Sequence, residues 1–360
     1  MTLLVTGAAG FIGSNLVRFL RRRWPDRQVV SFDLLSYAGN LENLASLEGD
    51  PGHAFVRGDV ASRDDVRAVF ERFAPTGVFH LAAESHVDRS IVDPLTFVRT
   101  NVDGTVLLLQ EAARAWRGRD DVLFHHVSTD EVFGSLGPEG AFAPDTRYAP
   151  NSPYSASKAA SDHFVRAWHA TYGLPVVITN CSNNYGPHQF PEKLIPVVIS
   201  RALAGEPVPV YGRGENVRDW LYVDDHCAAL AEVFASGRRG ATYCIGGEAE
   251  VKNIDLVGAL CDEVDRARGD EPGRSRALIR FVEDRPGHDL RYAMDISLIR
   301  AELGWSPSVS LAEGLRRTVA WYLAHQDWTE RARRGDHRAF EQLWYGGRLA
   351  APAAAPGDEP

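Results

Sequence analysis

Lysine is nearly missing from this 360-residue chain: only Lys158, Lys193 and Lys252 stand among its 39 basic side chains. Each therefore marks a place where a planar guanidinium replaces a compact ammonium poorly. Positive charge is also in deficit. The formal net charge is −9, which counts against a nucleic-acid surface, because phosphate binding is driven by clustered cations. Cysteine is sparse and unpatterned. Cys181, Cys227, Cys244 and Cys261 form no CxxC pair or framework and read as reduced thiols of a cytoplasmic protein. No apolar run approaches the ~18–20 residues of a membrane span. The N-terminus opens on Leu3-Leu4-Val5 and not on a basic segment with a long apolar stretch, so no signal peptide is expected. No internal repeat is visible. What remains is an ordinary globular composition, 44% hydrophobic and 24% charged, with ample length for one large domain or two modest ones. The Ala/Pro-rich stretch 350–360 reads as a disordered tail.

The first element present is a phosphate-binding pattern. Leu3-Leu4-Val5-Thr6 is a short apolar strand, followed by Gly7-Ala8-Ala9-Gly10-Phe11-Ile12-Gly13 and a helical pattern through Leu20. In that context Gly7 permits the tight turn, Gly10 lets the backbone approach a pyrophosphate, and Gly13 allows close helix–strand packing. The helix N-terminus adds amide donors and partial positive charge. A second strand, Gln28 to Phe32, ends at Asp33, 20 residues after Gly13. A carboxylate there would bond ribose hydroxyls and repel a 2′-phosphate, favouring NAD over NADP. Ala54-Phe55-Val56 leads to Asp59-Val60, a candidate contact for the adenine edge. The run Gly77 to Ala83 is a buried strand whose Leu81, Ala82 and Ala83 would let a cofactor lie close. This alternation predicts an α/β fold: a Rossmann-type, doubly wound parallel sheet with ligands at the strand carboxyl ends.

The second element carries the chemistry. The strand Val122 to Val127 runs into Ser128-Thr129-Asp130-Glu131, and Tyr154 follows 23 residues after Glu131 with Lys158 four residues later. Tyr and Lys at i and i+4 share a helix face. There the ammonium can lower the phenol pKa and favour phenolate, a base suited to an alcohol proton. Asn151-Ser152-Pro153 gives this helix a local start. Alcohol oxidation alone leaves two adjacent carboxyls without work.

The segments GAAGFIGS, LAAESHVDRS, STDEVFG, YSASK, SNNYGPHQFPEKLIP, RDWLYVDD and DRPGHDLRYAMD occur in that order between about residues 3 and 325. Together they resemble the motif set of the dTDP-glucose 4,6-dehydratase family, within the extended short-chain dehydrogenase/reductase superfamily. GxxGxxG and YxxxK mark only the superfamily; Thr129-Asp130-Glu131 with SNNYGP and PEKLIP is far more specific. The resemblance implies that Tyr154 takes the 4-hydroxyl proton of dTDP-glucose while NAD accepts hydride from C4, with Thr129 bonded to the same oxygen and Lys158 on the cofactor ribose. It implies Glu131 as the base at C5, Asp130 as the acid for the C6 hydroxyl, and hydride return to C6. NAD would be held tightly and regenerated each turnover, with no metal required. Unlike protonation of neighbouring carboxyls is reasonable, since repulsion and unequal burial separate their pKa values.

The same resemblance places Gly7, Gly10, Phe11, Ile12, Gly13, Asp33, Asp59, Val60, Leu81, Ala82, Ala83, Ser85, Thr100 and Asn184 on the cofactor, besides Tyr154 and Lys158. It places Ser85, His86, Thr129, Asn183, Lys193, Leu194, Pro209, Tyr211 and Asn253 on the substrate. Arg218 and Arg291 would hold the diphosphate, and Arg285 and His288 would complete the pocket. Phe133 stands where the family usually has Tyr, and Asn180 where Arg is common. Residues 1–183 plus about 219–247 are expected to form the NAD-binding domain. Residues 184–218 plus about 248–330 would form a smaller, mixed α/β nucleotide-sugar lobe. A homodimer is implied, paired through two helices per subunit. The stripe Val102-Val106-Leu109-Ala113 and the helix Tyr154–Tyr172 are candidates, though core packing explains that stripe equally well. Two alternatives stay open at this point: a related nucleotide-sugar enzyme (a UDP- or GDP-sugar 4,6-dehydratase, a decarboxylase or a 4-epimerase), or a non-catalytic NAD-binding protein.

Overall fold

The computed structural model describes residues 1–333, so the expected tail at 350–360 lies outside the described residues. The chain begins with alternating strands and helices: β1 (Thr2–Thr6), α1 (Phe11–Arg23), β2 (Gln28–Asp33), β3 (His53–Arg57), α2 (Arg63–Phe73) and β4 (Gly77–His80). Two short helices, α3 (Val87–Val92) and α4 (Pro94–Phe97), and one π turn (Val98–Asp103) lead into α5 (Gly104–Ala115). Then come β5 (Leu123–Thr129), α6 (Pro153–Tyr172) and β6 (Val176–Cys181). The chain crosses out through β7 (Asn183–Tyr185), α7 (Leu194–Ala204), β8 (Val208–Tyr211) and β9 (Val217–Tyr222), and returns with α8 (Val223–Ser236) and β10 (Thr242–Ile245). It closes with β11 (Glu250–Lys252), α9 (Asn253–Arg268), β12 (Ile279–Val282), α10 (Ser297–Leu303), α11 (Leu311–Ala324) and α12 (Gln326–Ala332).

Seven strands make one parallel sheet in the order β10-β6-β5-β4-β1-β2-β3. The doubly wound α/β class follows from this order, and the crevice between β1 and β4, where the direction of winding reverses, is where ligands bind in such sheets. Every residue of β5 and β6 is buried, the mark of strands covered by helices on both faces. Leu16, Val17 and Leu20 of α1 and Leu230 and Val233 of α8 pack on one face. Val66 and Val69 of α2, Leu108 and Leu109 of α5 and Val165 of α6 pack on the other. Leu109 is thus fully buried in its own core, so the stripe expected for dimer pairing is turned at least partly toward the sheet.

The second lobe holds two small sheets, β11-β9-β7 and β12-β8, over a core that includes Tyr185, Ile199, Leu256, Leu260 and Tyr322. Two segments depart from the expected division. Residues 219–222 complete β9 in the small sheet, with Trp220 and Tyr222 in its core, although about 219–247 was expected with the NAD-binding domain. Helix α10 packs on β10 and α8, and Ile296, Ile299 and Trp305 join the core of the large sheet, although 248–330 was expected to lie with the smaller lobe. The reason is apolar contact across the chain, invisible in local periodicity. Strand β5 also runs two residues beyond Val127, which places Asp130 and Glu131 at the first turn after the sheet.

Candidate active site

The glycine turn shows three different constraints. Gly7 has φ +67°, in the left-handed region, and a Cβ there would come within 2.8 Å of the Ala82 backbone. At Gly13 a Cβ would stand 2.1 Å from the Gly7 carbonyl oxygen. At Gly10 it would meet only that carbonyl, at 3.3 Å, with open space beyond. Asp33 closes the turn from the next strand, accepting from the Ala9 amide at 2.9 Å and the Leu35 amide at 2.7 Å. The Thr6 hydroxyl accepts from the Leu81 and Ala82 amides, fixing the bend at the end of β4.

A continuous cleft runs from this turn to the end of β5. All the residues expected on the cofactor line it: Gly7, Gly10, Phe11, Ile12, Gly13, Asp33, Asp59, Val60, Leu81, Ala82, Ala83, Ser85, Thr100, Tyr154, Lys158 and Asn184. Thr129, Asp130, Glu131, Asn183 and Lys193 line it as well. The side-chain oxygens of Asn183 and Asn184 are buried there without a hydrogen-bond partner, and such orphaned polar atoms fit a polar ligand. Open space at Gly10, a fixed carboxylate at Asp33 and these two amides suit a dinucleotide. The Tyr37 hydroxyl donates to the Glu192 carboxylate, which lines the cleft, at 3.1 Å.

The reacting groups sit on short, well-capped elements. Helix α6 starts with a capping box: Ser152 Oγ accepts from the Ser155 amide at 3.1 Å, and Ser155 Oγ accepts from the Ser152 amide at 3.0 Å. This fixes Tyr154 in its first turn, with the phenol ring edge-on to Phe97. Thr129 caps the single turn that follows β5, accepting from the Glu131 amide at 3.3 Å. Its hydroxyl donates to Asp130 Oδ1 at 3.1 Å. Lys158 Nζ donates to the Val127 carbonyl at 2.9 Å.

The two carboxyls have unequal surroundings. Burial and the neighbouring Glu131 push Asp130 well above the ordinary carboxylate range, against a counteracting pull from Arg218. Burial also raises Glu131, but the cations of Arg285, Lys193 and Arg218 oppose it. Asp130 is the better-held acid and Glu131 the better-supplied base. Tyr154 differs from the sequence expectation. Burial and the Glu131 carboxyl push its phenol well above the ordinary value, so in this arrangement the lowering expected from Lys158 is outweighed.

The substrate-side residues divide into groups. Tyr211 OH donates to Asp88 Oδ2 at 3.0 Å, and Arg285 Nη1 reaches Asp88 Oδ1 at 3.3 Å. His288 lies edge-on to Tyr211 and 2.6 Å from Asp284. Lys193 Nζ donates to the Ser85 carbonyl at 2.6 Å, beside Leu194 at the start of α7. Arg218 is buried, bonded to the Asp289 carbonyl at 2.8 Å and stacked 4.2 Å over Tyr292. His86 stands 4.0 Å from Glu192. Pro209 lies in β8, and Asn253 opens α9 with its side-chain oxygen buried and unpartnered. Arg291 is held elsewhere: it pairs with Glu250 at 2.7 Å and bonds the carbonyls of Gly137 and Gly140. A loop-fixing contact, created by chain folding, competes with the anion role expected for it. Asp88 was missed, although it lies within the HVDRS segment. Phe133 stacks on Phe142 at 5.0 Å, and Asn180 donates to the Thr129 carbonyl at 3.0 Å.

Known proteins match the chain over nearly its full length. The family model for GDP-mannose 4,6 dehydratase matches residues 4–318. A dTDP-glucose 4,6-dehydratase of Xanthomonas campestris pv. campestris is 54% identical over 94% of this chain and 97% of its own length. One from Salmonella typhimurium is 48% identical over 97% of this chain and 100% of its own. Among solved structures, DesIV from Streptomyces venezuelae, a dTDP-glucose 4,6-dehydratase with NAD bound, superimposes with a TM-score of 0.85 at 47% identity, covering 92% of this chain and 100% of that one. A UDP-glucose 4-epimerase from Thermotoga maritima gives a TM-score of 0.80 at 28% identity, covering 91% and 100%. The fold is therefore shared across different reactions, and the site residues have to separate them.

Proposed function

The chain belongs to the dTDP-glucose 4,6-dehydratase family, and on that premise we propose that it converts dTDP-glucose to dTDP-4-keto-6-deoxyglucose and water with NAD held in the cleft. The observation that carries this reading is the pair of unequal carboxyls beside Tyr154. A 4-epimerase needs proton and hydride movement at C4 only, whereas elimination across C5 and C6 needs a base and an acid as well.

Tyr154 removes the 4-hydroxyl proton, with Thr129 bonded to the same oxygen. When bound, NAD would supply a positive charge, a hydride acceptor for C4 and then the hydride donor for C6, with C5 taking back a proton. The Gly7–Gly13 turn, Asp33 and Lys158 hold it. The ketone formed at C4 acidifies the C5 proton, and Glu131 takes that proton while Lys193, Arg218 and Arg285 support its ionised form. Asp130, kept neutral by burial and by Glu131, gives its proton to the departing C6 hydroxyl. Arg218 and Arg285 meet the diphosphate, and Tyr211 offers its ring face to the base.

The enzyme works in the cytoplasm as a homodimer. Leu95 is 76% exposed and Tyr172 65%, with Ile91, Val92, Val98 and Phe164 exposed as well. These residues lie on α3, α4, the π turn and α6, and their exposure supports a pairing face there; sedimentation of a Leu95→Glu, Val98→Glu variant as monomer tests it. Among the described residues no helix is long and apolar enough to cross a membrane. Activity is tested by incubation with dTDP-glucose and no added NAD. Formation of the 4-keto-6-deoxy product, read by its alkaline absorbance, is expected; conversion of UDP-glucose to UDP-galactose instead would overturn the reading.

A further inference from the structure

Asp88, a carboxylate on the substrate side, has no part in the chemistry above. It lies on α3, just after His86, and is 2% exposed. Its two oxygens face two different segments. Oδ2 accepts from the Tyr211 hydroxyl at 3.0 Å and Oδ1 from Arg285 Nη1 at 3.3 Å. A buried carboxylate is costly unless its oxygens are answered. Here the answer comes from across the molecule: α3 belongs to the strand–helix alternation of the large sheet, whereas Tyr211 and Arg285 belong to the smaller lobe.

The small sheet explains why both residues reach one carboxylate. Strands β8 and β12 run parallel, with Tyr211 opposite Val282 at their carboxyl ends. The ladder continues one step, the Gly212 amide donating to the Val282 carbonyl at 2.9 Å. Arg285 follows in the loop that leaves β12. One strand pair thus delivers phenol and guanidinium side by side, and α3 supplies the anion that both meet. Arg285 is held at one Nη, while its Nε is buried without a hydrogen-bond partner. A fixed guanidinium with a buried donor to spare suits the oxygens of an anion such as a diphosphate. Tyr211 is held at the tip of its ring and not on its faces. Groups already fixed in a receiving arrangement lose less freedom when a ligand binds.

We propose that Asp88 is the positioning residue of the nucleotide pocket: from the large-sheet side it holds Tyr211 and Arg285 in the arrangement that receives a nucleoside diphosphate. This rests on the reading of those two residues as the partners of base and diphosphate. Asp88 acts through them and moves no proton or hydride. Its charge alone would repel a diphosphate, but each of its oxygens already faces a donor, so the holding contact outweighs the repulsion. Positioning and repulsion predict opposite signs for its removal.

The test measures dTDP binding to the purified enzyme by calorimetry, beside KM and kcat for dTDP-glucose. Asp88→Asn keeps the shape of the side chain, removes its charge and turns an NH₂ toward one of the two donors. Binding of dTDP is expected to weaken about tenfold and KM to rise by a similar factor. On the plateau of its pH profile kcat should stay within about threefold, the pattern of a contact made equally in ground and transition state. Unchanged binding overturns the proposal. Tighter binding overturns it too, and would mean that the carboxylate competes with the diphosphate for Arg285. In an Arg285→Gln, Tyr211→Phe background, Asp88→Asn should add no more than about twofold; a full tenfold there would mean that Asp88 acts elsewhere. If Asp88→Asn does not fold, Asp88→Ala decides in the same terms. A parent enzyme that binds dTDP but leaves dTDP-glucose unchanged would overturn the substrate reading, while the ratio of dTDP affinities still decides on Asp88. One that binds UDP or GDP in place of dTDP would also overturn that reading, and the same ratio taken with that nucleotide decides. Binding of none of the three overturns both.

Discussion

The Thr129 hydroxyl donates to Asp130 Oδ1 at 3.1 Å, while Oδ2 of the same buried carboxyl has no hydrogen-bond partner. A neutral carboxyl in that setting carries its proton on the free oxygen, where a leaving hydroxyl can receive it. Asp130→Asn keeps the shape and the contact with Thr129 but has no acidic proton. Dehydration should slow by about 10²–10⁴, the usual contribution of a general acid. Oxidation at C4 should survive, so reduced cofactor accumulates and is read by its absorbance. Product formation within about tenfold of the parent would remove Asp130 from the acid role.

The pH dependence follows from Glu131. Burial raises its pKa, and Arg285 is the largest influence holding it down. A base is lost as pH falls through its pKa, so the acidic limb of kcat should lie above the ordinary carboxylate range. Removing the Arg285 cation favours the neutral carboxyl and raises the pKa further. In Arg285→Gln the acidic limb should therefore move upward, by about one unit. A limb that stays in place, or moves down, would assign the acidic side to a different group.

Sequence patterns reveal parts of this site for definite reasons. The glycine turn, Asp33 and the Tyr154–Lys158 spacing are visible because each lies within one turn or one strand–turn–helix unit. The Asp130–Glu131 pair stands out because it follows a strand directly. The Asp88 contacts with Tyr211 and Arg285 join positions 123 and 197 residues apart, and no local pattern encodes such a meeting. The engagement of Arg291 with Glu250 and the return of α10 to the large sheet have the same character.

The three glycines of the turn should fail differently when replaced by alanine. At Gly13 the added Cβ overlaps the Gly7 carbonyl and the Ala8 Cα, so Gly13→Ala should lose both cofactor and thermal stability. At Gly10 the Cβ touches only one carbonyl oxygen and otherwise fills space next to the cleft. Gly10→Ala should therefore keep Tm within about 3 °C of the parent apoprotein while losing NAD, since backbone approach to the pyrophosphate is what glycine provides here. Bound nucleotide measured after denaturation, beside a melting curve, separates the two. A Gly10→Ala enzyme that retains its NAD would place the pyrophosphate elsewhere.

His226 offers a stability test away from the chemistry. It is fully buried in α8, neither ring nitrogen has a hydrogen-bond partner, and burial lowers its pKa from 6.5 to about 3. The unfolded chain binds a proton at this histidine below 6.5 while the folded one does not until about 3. Protonation thus favours unfolding across that window, and stability is lost as pH falls through it, at about 1.4 kcal/mol per pH unit once the unfolded histidine is fully protonated. His226→Leu removes that linkage and an unsatisfied polar group. At about pH 8 the variant should melt at the parent's temperature or above it, and by about pH 5 it should be the more stable of the two by a widening margin. A constant difference between the two melting temperatures across this range would mean that His226 is already protonated, or hydrogen-bonded, in the folded protein.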